Sequence, residues 1–374
     1  MPDFPCMSRR KFLHATTAGV AGAAVGGAVL LSPRTARGYA PKSQVHPNIS
    51  NTRVVFVHDE TMATGGGSYA NWSQQNSQTN ETKVAANIDK MARALAEEVD
   101  TPTAWRKIFL RPASKPSWSN VVVAIKTNNI AQQHTRNAVM KKFCTVLTSI
   151  LGVQGSNIHI YDGVHGGNMT TTTPFSGLPT GVIIENAWGG LSATTYLPPP
   201  IDANTSCVAA IANGTVDILI NIALCKGHGN EYGRFTMTMK HHFGTCSPNH
   251  SIENLIAINK SEAILGAMDG GGQVTFPKQQ ICFIDALYAS QDGPDGAPSA
   301  RTNRFFMGTF SPILDYLAAT LFRRDTMGWP INAAIANQFL SDFGYTTADL
   351  PGGGVMIDAL TWTKNAAQNW SLYS

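Results

Sequence analysis

Charged residues are scarce in this 374-residue chain, at 14% against 43% hydrophobic. That balance excludes a wholly disordered chain, and the length suffices for one large or two modest globular domains with a sizeable core. None of the six cysteines forms a Cys-x-x-Cys pair, which removes a ferredoxin-type iron–sulfur cassette. The chain also lacks Gly-x-Ser-x-Gly, His-Glu-x-x-His, a Walker A loop and a dinucleotide-binding glycine fingerprint after a strand. Common hydrolases and nucleotide binders therefore have no motif here. The acids of Asp292-Gly293-Pro294-Asp295-Gly296 miss calcium-loop spacing, and residues 166–200, rich in Thr, Gly and Pro, hold no internal repeat.

What is present begins with the amino terminus. Ser8-Arg9-Arg10-Lys11-Phe12-Leu13 precedes an apolar stretch over residues 15–31 that four glycines interrupt. Paired arginines before a weakly hydrophobic segment resemble a twin-arginine export signal. The run is short for a membrane anchor, which needs about 20 apolar residues. Gly38-Tyr39-Ala40 offers small residues for cleavage after Ala40, so residues 1–40 are expected to be the signal. The implied partner is the twin-arginine export machinery, and the implied destination is the bacterial periplasm or the cell exterior. No other segment reads as a membrane span.

The whole chain carries a formal net charge of +4, from 28 basic and 24 acidic residues. Residues 1–40 hold five of the former and one of the latter, leaving 23 of each. A neutral body without a basic tail gives no electrostatic warrant for nucleic acid. Five cysteines remain in that body, and Cys225 and Cys246, flanking a His-rich segment, are the pair expected to serve as disulfide or ligand. Cys144 and Cys282 read as small core residues.

Periodicity predicts strands near residues 54–57, 121–125, 157–161, 181–185, 216–222 and 280–285. It predicts helices over 84–99, 134–151, 311–322 and 331–341, and a loop over 61–82. A tail containing Trp362 and Trp370 is expected to pack on the body. Strand–helix–strand spacing argues an α/β fold with a mostly parallel sheet, helices on both faces and long loop insertions. Residues 41–374 form either a single α/β domain or two closely packed lobes divided near 165–200.

Polar residues follow the apolar runs: Lys126 and Asn128, Asp162 and His165, Glu185 and Asn186, then Cys225, Lys226 and His228, and Asp285. In open α/β sheets ligands gather at the carboxyl ends of strands, so these residues are candidates to converge. The densest pattern is Lys226-Gly227-His228-Gly229, followed by Lys240-His241-His242-Phe243-Gly244. Lysines beside flexible residues can hold an anion, and imidazoles can bind metal or move protons. Adjacent His241 and His242 need not point the same way, so one of them is expected to serve the site. His228, His242 and Asp285 are the candidate ligands for a divalent metal. Lys126, Lys226 and Lys240 together fit an anion pocket better than a metal cage, since uncompensated lysines repel a metal.

Four stretches, VVVAIKTN at residues 121–128, DILIN…CKGHG…MKHHFG within 216–244, IDALYASQDGPDG at 284–296 and SPILDYLAATL at 311–321, resemble the domain-of-unknown-function family 362. The resemblance covers residues 121 to about 325 and implies an α/β fold without naming a reaction. Carried over by position, it marks Lys126, Asn128, Asp162, Lys226, His228, Lys240, His242, Asp285 and Asp315. The chain departs from it at Ser311, where relatives carry Asp, and lacks the ferredoxin insertion some relatives possess.

Three functions follow as expectations. The first is an exported enzyme or cofactor protein binding an anionic small molecule, with Lys126, Lys226 and Lys240 positioning charge, His228 or His242 moving a proton or binding metal, and Asp285 orienting an imidazole. Asn128, Asp162 and Asp315 are its further binding candidates. The second is a non-catalytic periplasmic receptor with the same pocket. The third is an envelope interaction protein that binds through the Gln/Asn/Ser-rich residues 61–80.

Overall fold

The computed structural model describes residues 38–130, 132–163, 169, 175–186 and 188–364. The twin-arginine motif, His165 and Trp370 lie outside the described residues.

Apolar runs assemble an eight-stranded sheet. Its strands are β1 (Val55–His58), β2 (Val123–Lys126), β3 (Ile158–Tyr161), β4 (Ile183–Glu185), β5 (Ile218–Leu224), β6 (Gln279–Ala289), β7 (Ala300–Gly308) and β8 (Ile357–Asp358). Their spatial order is β8-β1-β7-β6-β5-β2-β3-β4. Neighbours run parallel except at β7, which is antiparallel to both β6 and β1. This is an α/β fold with a mostly parallel sheet.

The continuous apolar runs have a simple cause. Ile218, Ile220 and Ile222 of β5 enter one core cluster, while Leu219 enters the other. Successive side chains point to opposite faces, and helices cover both, so the strand is predominantly apolar, with the hydrogen-bonded Asn221 as its polar exception. On one face lie α1 (Trp72–Ser77), α2 (Glu81–Ala96), α3 (Thr101–Ile108) and α4 (Asn137–Thr145), with Ile88, Trp105 and Phe143 in the core. On the other lie α5 (Thr238–His241), α6 (Ile252–Asn259), α7 (Ser311–Leu317) and α8 (Ala333–Ser341), contributing Met239, Leu255, Leu314 and Phe339.

Three features depart from the periodicity. Strand β7 escapes it because Arg301-Thr302-Asn303-Arg304 is polar and Asn303 adopts φ 51°, breaking the alternation; pairing on both sides makes it a strand nonetheless. Helix α1 arises inside the expected loop because Asn71 and Gln74 form a capping box. Trp72 is buried there, and its Nε1–H donates to Thr135 O at 3.1 Å, so this segment is tied to the body. Finally, Ala193–Leu197 and Ala203–Cys207 pair as an antiparallel hairpin in and beyond the Thr/Gly/Pro-rich excursion.

The described residues belong to one compact unit, and β3, β4 and β5 of the same sheet flank or fall within residues 165–200. No helix among the described residues is long and apolar enough to cross a membrane. Trp362 is partly buried against the core.

Tyr39 is buried, with ring centroids 5.6 Å from both Phe310 and Phe343, and its hydroxyl donates to Ser43 O at 2.7 Å. Ala40 N–H donates to Gly272 O at 2.8 Å. The folded body therefore already includes residues that cleavage after Ala40 would remove.

All five cysteines of the body are buried and unbridged. Cys144 and Cys282 are core residues. Cys246 faces Cys207 rather than Cys225, which instead lies 3.8 Å from the Arg323 guanidinium.

Candidate functional site

From β2 the chain builds outward through β3 and β4, whereas β5 enters on the opposite flank of β2 and β6 continues away from it. Connections leaving β2 and β5 thus depart in opposite directions, which opens a crevice at their carboxyl ends. A cleft of about 240 Å³ lies there. Lys126 and Asn128 line it from the end of β2, Asp162 from the end of β3, Lys226 and His228 from beyond β5, and Lys240 and His241 from α5.

The three lysines are not equivalent. Lys126 is buried and neutralised: its Nζ donates to Asp162 Oδ1 at 2.5 Å and to Thr127 O at 2.7 Å. Asp162 is saturated in turn, accepting from Asn129 N–H at 2.7 Å and Gly163 N–H at 2.6 Å. This pair is a built-in wall of the cleft, because separating either partner would leave a buried charge uncompensated.

Lys226 is as deeply buried, but its Nζ donates only to neutral oxygens, Asn128 Oδ1 at 3.0 Å and Pro294 O at 3.1 Å. Burial lowers its pKa to about 8, against the opposing pull of Asp162 and Asp295 and with the help of Lys240 and Lys126. The Lys240 ammonium sits over the Tyr232 ring at 4.7 Å and the Phe243 ring at 5.4 Å. Burial lowers its pKa to about 8 also, opposed by Glu231. No ion pair among the described residues involves Lys226 or Lys240.

His228 completes the polar lining. Its Nδ1 accepts from Gly229 N–H at 2.8 Å, which assigns the ring proton to Nε2. Burial, then Lys240, Lys226 and His250, lower its pKa to about 4, so the ring is a neutral N–H donor at physiological pH. Since Asn128 Oδ1 accepts from Lys226, the amide nitrogen is the end of Asn128 that remains for a ligand.

Of the adjacent histidines it is His241 that lines the cleft, one helical residue having turned His242 about 100° away. His241 Nε2 donates to Thr127 O at 2.6 Å, and its Nδ1 lies 2.7 Å from Asn221 Oδ1. His242 is fully buried behind it, with Nε2 2.6 Å from Gln279 Oε1 and 3.0 Å from Asn221 Nδ2, and Nδ1 3.2 Å from Thr245 Oγ1. Burial lowers its pKa to about 3. Both of its nitrogens face core side chains.

Asp285 is also placed elsewhere. Ile284 and Ala286 join the core cluster on the Lys240 side of the sheet, so alternation turns Asp285 to the other face. There its oxygens accept from Arg136 N–H at 2.9 Å and Leu287 N–H at 3.2 Å, and Arg136 Nε lies 3.8 Å away. Burial raises its pKa, with Arg136 opposing. His228, His242 and Asp285 are therefore not brought together, and no group of three or more His, Cys, Asp or Glu among the described residues could hold a metal ion.

Asp315 supports the cleft without lining it. From α7 it accepts from Thr238 N–H at 3.0 Å, Thr238 Oγ1–H at 2.5 Å and Met239 N–H at 2.8 Å, capping the helix that presents Lys240. Burial raises its pKa to about 7 despite those bonds. Glu185 pairs with His159, and Asn186 accepts from Met169 N–H.

Two close approaches explain the glycines of the lysine motifs. A Cβ on Gly163 would collide with the backbone of Gly244, and one on Gly244 would come within 2.7 Å of Lys126 Cε. A Cβ on Gly227 would collide with Gln291 O. Arg323, which no motif marks, holds that same loop: its guanidinium donates to Ser290 O at 2.7 Å and Gln291 O at 2.9 Å, bringing Pro294 and Asp295 to the cleft.

No family model matches this chain, and no curated protein shows significant similarity to it.

Proposed function

We propose that this is an exported protein whose cleft binds a small anionic molecule between Lys226 and Lys240, with His228 Nε2–H and the Asn128 amide as neutral donors. The observation that carries the reading is a buried Lys226 ammonium beside the partly buried ammonium of Lys240, neither with a carboxylate ion-pair partner among the described residues. Desolvating a cation without a counter-ion is costly, and an anion in the cleft would remove that cost. The arrangement favours a compact ligand rich in acceptors, such as a carboxylate, phosphate or sulfate group.

The twin-arginine route to the periplasm or cell exterior belongs to the same proposal, supported by Arg9, Arg10 and the glycine-diluted apolar stretch after them. A second reading makes the protein an enzyme acting on that anion, because ammonium groups with pKa values near 8 can exchange protons close to neutrality.

Calorimetry with sulfate as the probe tests the binding. Saturable, one-to-one binding that weakens at least tenfold in Lys226→Met and in Lys240→Met is the expected result. Equal affinity in both variants would overturn the reading. Native mass spectrometry of protein isolated from its own cells would then identify the resident anion, and its recovery in converted form after incubation would select the enzyme.

A further inference from the structure

We infer that Cys207 and Cys246 are a disulfide-forming pair that closes the chain segment carrying the cleft. The two residues oppose one another in an antiparallel bridge. The hydrogen bonds flank the pair rather than join it: Val208 N–H donates to Thr245 O and Ser247 N–H to Ser206 O, each at 2.9 Å. A non-hydrogen-bonded pair of this kind brings opposite Cα atoms to about 4.5 Å, within the span that a disulfide bridges.

The side chains agree with the backbone. Cys246 Sγ–H donates to Cys207 Sγ at 3.4 Å, and both residues are fully buried. The other cysteines face different groups: Cys282 Sγ is 3.2 Å from Ser311 Oγ, and Cys225 Sγ is 3.8 Å from Arg323. Lys278 stands near both sulfurs, and its charge favours the thiolate that disulfide exchange requires.

Oxidation takes one proton and one electron from each thiol and forms the Sγ–Sγ bond. The acceptor is a second disulfide, of which oxidised glutathione is the simplest example. One cysteine thiolate attacks it and expels a glutathione thiolate; the other then attacks the mixed disulfide and expels the second. Burial of both sulfurs means that exchange occurs during folding or through opening of this strand pair. The closed loop contains Lys226, His228 and Lys240, so the bond would restrain the cation-bearing segment. An oxidising exterior is the compartment in which such a bond persists.

Alkylation counting tests this on the full chain. Purified protein is equilibrated with oxidised glutathione in sub-denaturing urea, then unfolded and treated with N-ethylmaleimide without reduction. Of the six cysteines, four are expected to be alkylated, and chymotryptic peptides should be joined through Cys207 and Cys246. Cys207→Ser should lose the joined peptides and show five alkylated thiols. Six alkylated thiols at every glutathione concentration, a different joined pair, or glutathione retained on either cysteine would overturn the inference. The count is made on unfolded protein and is independent of anion binding.

Discussion

Raising the pH from 7 to 9 should weaken sulfate binding about 100-fold. Both Lys226 and Lys240 have pKa values lowered to about 8 in the unliganded cleft. A group with that pKa is about 90% protonated at pH 7 and about 10% at pH 9, so each lysine costs the site about tenfold. The surrounding charges do not replace them: Lys126 is committed to Asp162, His228 is neutral, and Asp295 and Glu231 are acids. Sulfate is the right probe because its own charge stays constant over this range. Calorimetric titrations at half-unit steps should show the affinity falling above pH 8 with a slope approaching two decades per unit. In Lys240→Met the slope should approach one. The unliganded protein should respond oppositely. Both lysines are held below their unfolded-state pKa near 10.4, so the unfolded state binds more protons between about pH 8 and 10.4, and their contribution to stability rises with pH in that window. An affinity unchanged within a factor of two from pH 7 to 9 refutes the assignment of these ammonium groups to the ligand.

Asp315→Ala strands three hydrogen-bond donors at the start of α5 and should cost about 2–4 kcal/mol in urea unfolding, while weakening sulfate binding through displacement of Lys240. Gly244→Ala places a Cβ against Lys126 and the Gly163 backbone, so it should reduce both stability and affinity; unaltered values would refute the close-approach argument. Tyr39→Ala should cost about 3–5 kcal/mol if Tyr39 belongs to the body as placed. If the proposed export takes place, sequencing the amino terminus of the secreted form should accordingly find that it begins upstream of Tyr39. A Cys207–Cys246 bond closing about 40 residues should add about 4 kcal/mol to unfolding free energy relative to the reduced protein. Equal unfolding midpoints and slopes for the two forms would refute that increment.

Much of the sheet was legible because local composition carries it. A strand covered on both faces is predominantly apolar, and β2, β3, β5 and β6 announce themselves that way. Strand β7 does not, since its polar half is held by pairing to β6 and β1. Helix α1 was marked by the Asn71–Gln74 capping box, which reads as loop composition unless the spacing is tested. Arg323 gave no signal at all: its role is to grip carbonyls of a loop 32 residues earlier in the chain.

The candidate site divides along the same physical line. Sequence by itself determined that lysines, histidines and glycines follow the strand ends, and the parallel architecture then requires those ends to share an edge. Only the tertiary structure decided which charges are available there. It spent Lys126 on Asp162, turned His242 into the core and His241 toward the cleft, sent Asp285 to the opposite face and set Asp315 under α5. Residue type fixes what a group can do chemically, but the face it occupies and the partner it meets are properties of packing, which joins positions far apart in the chain.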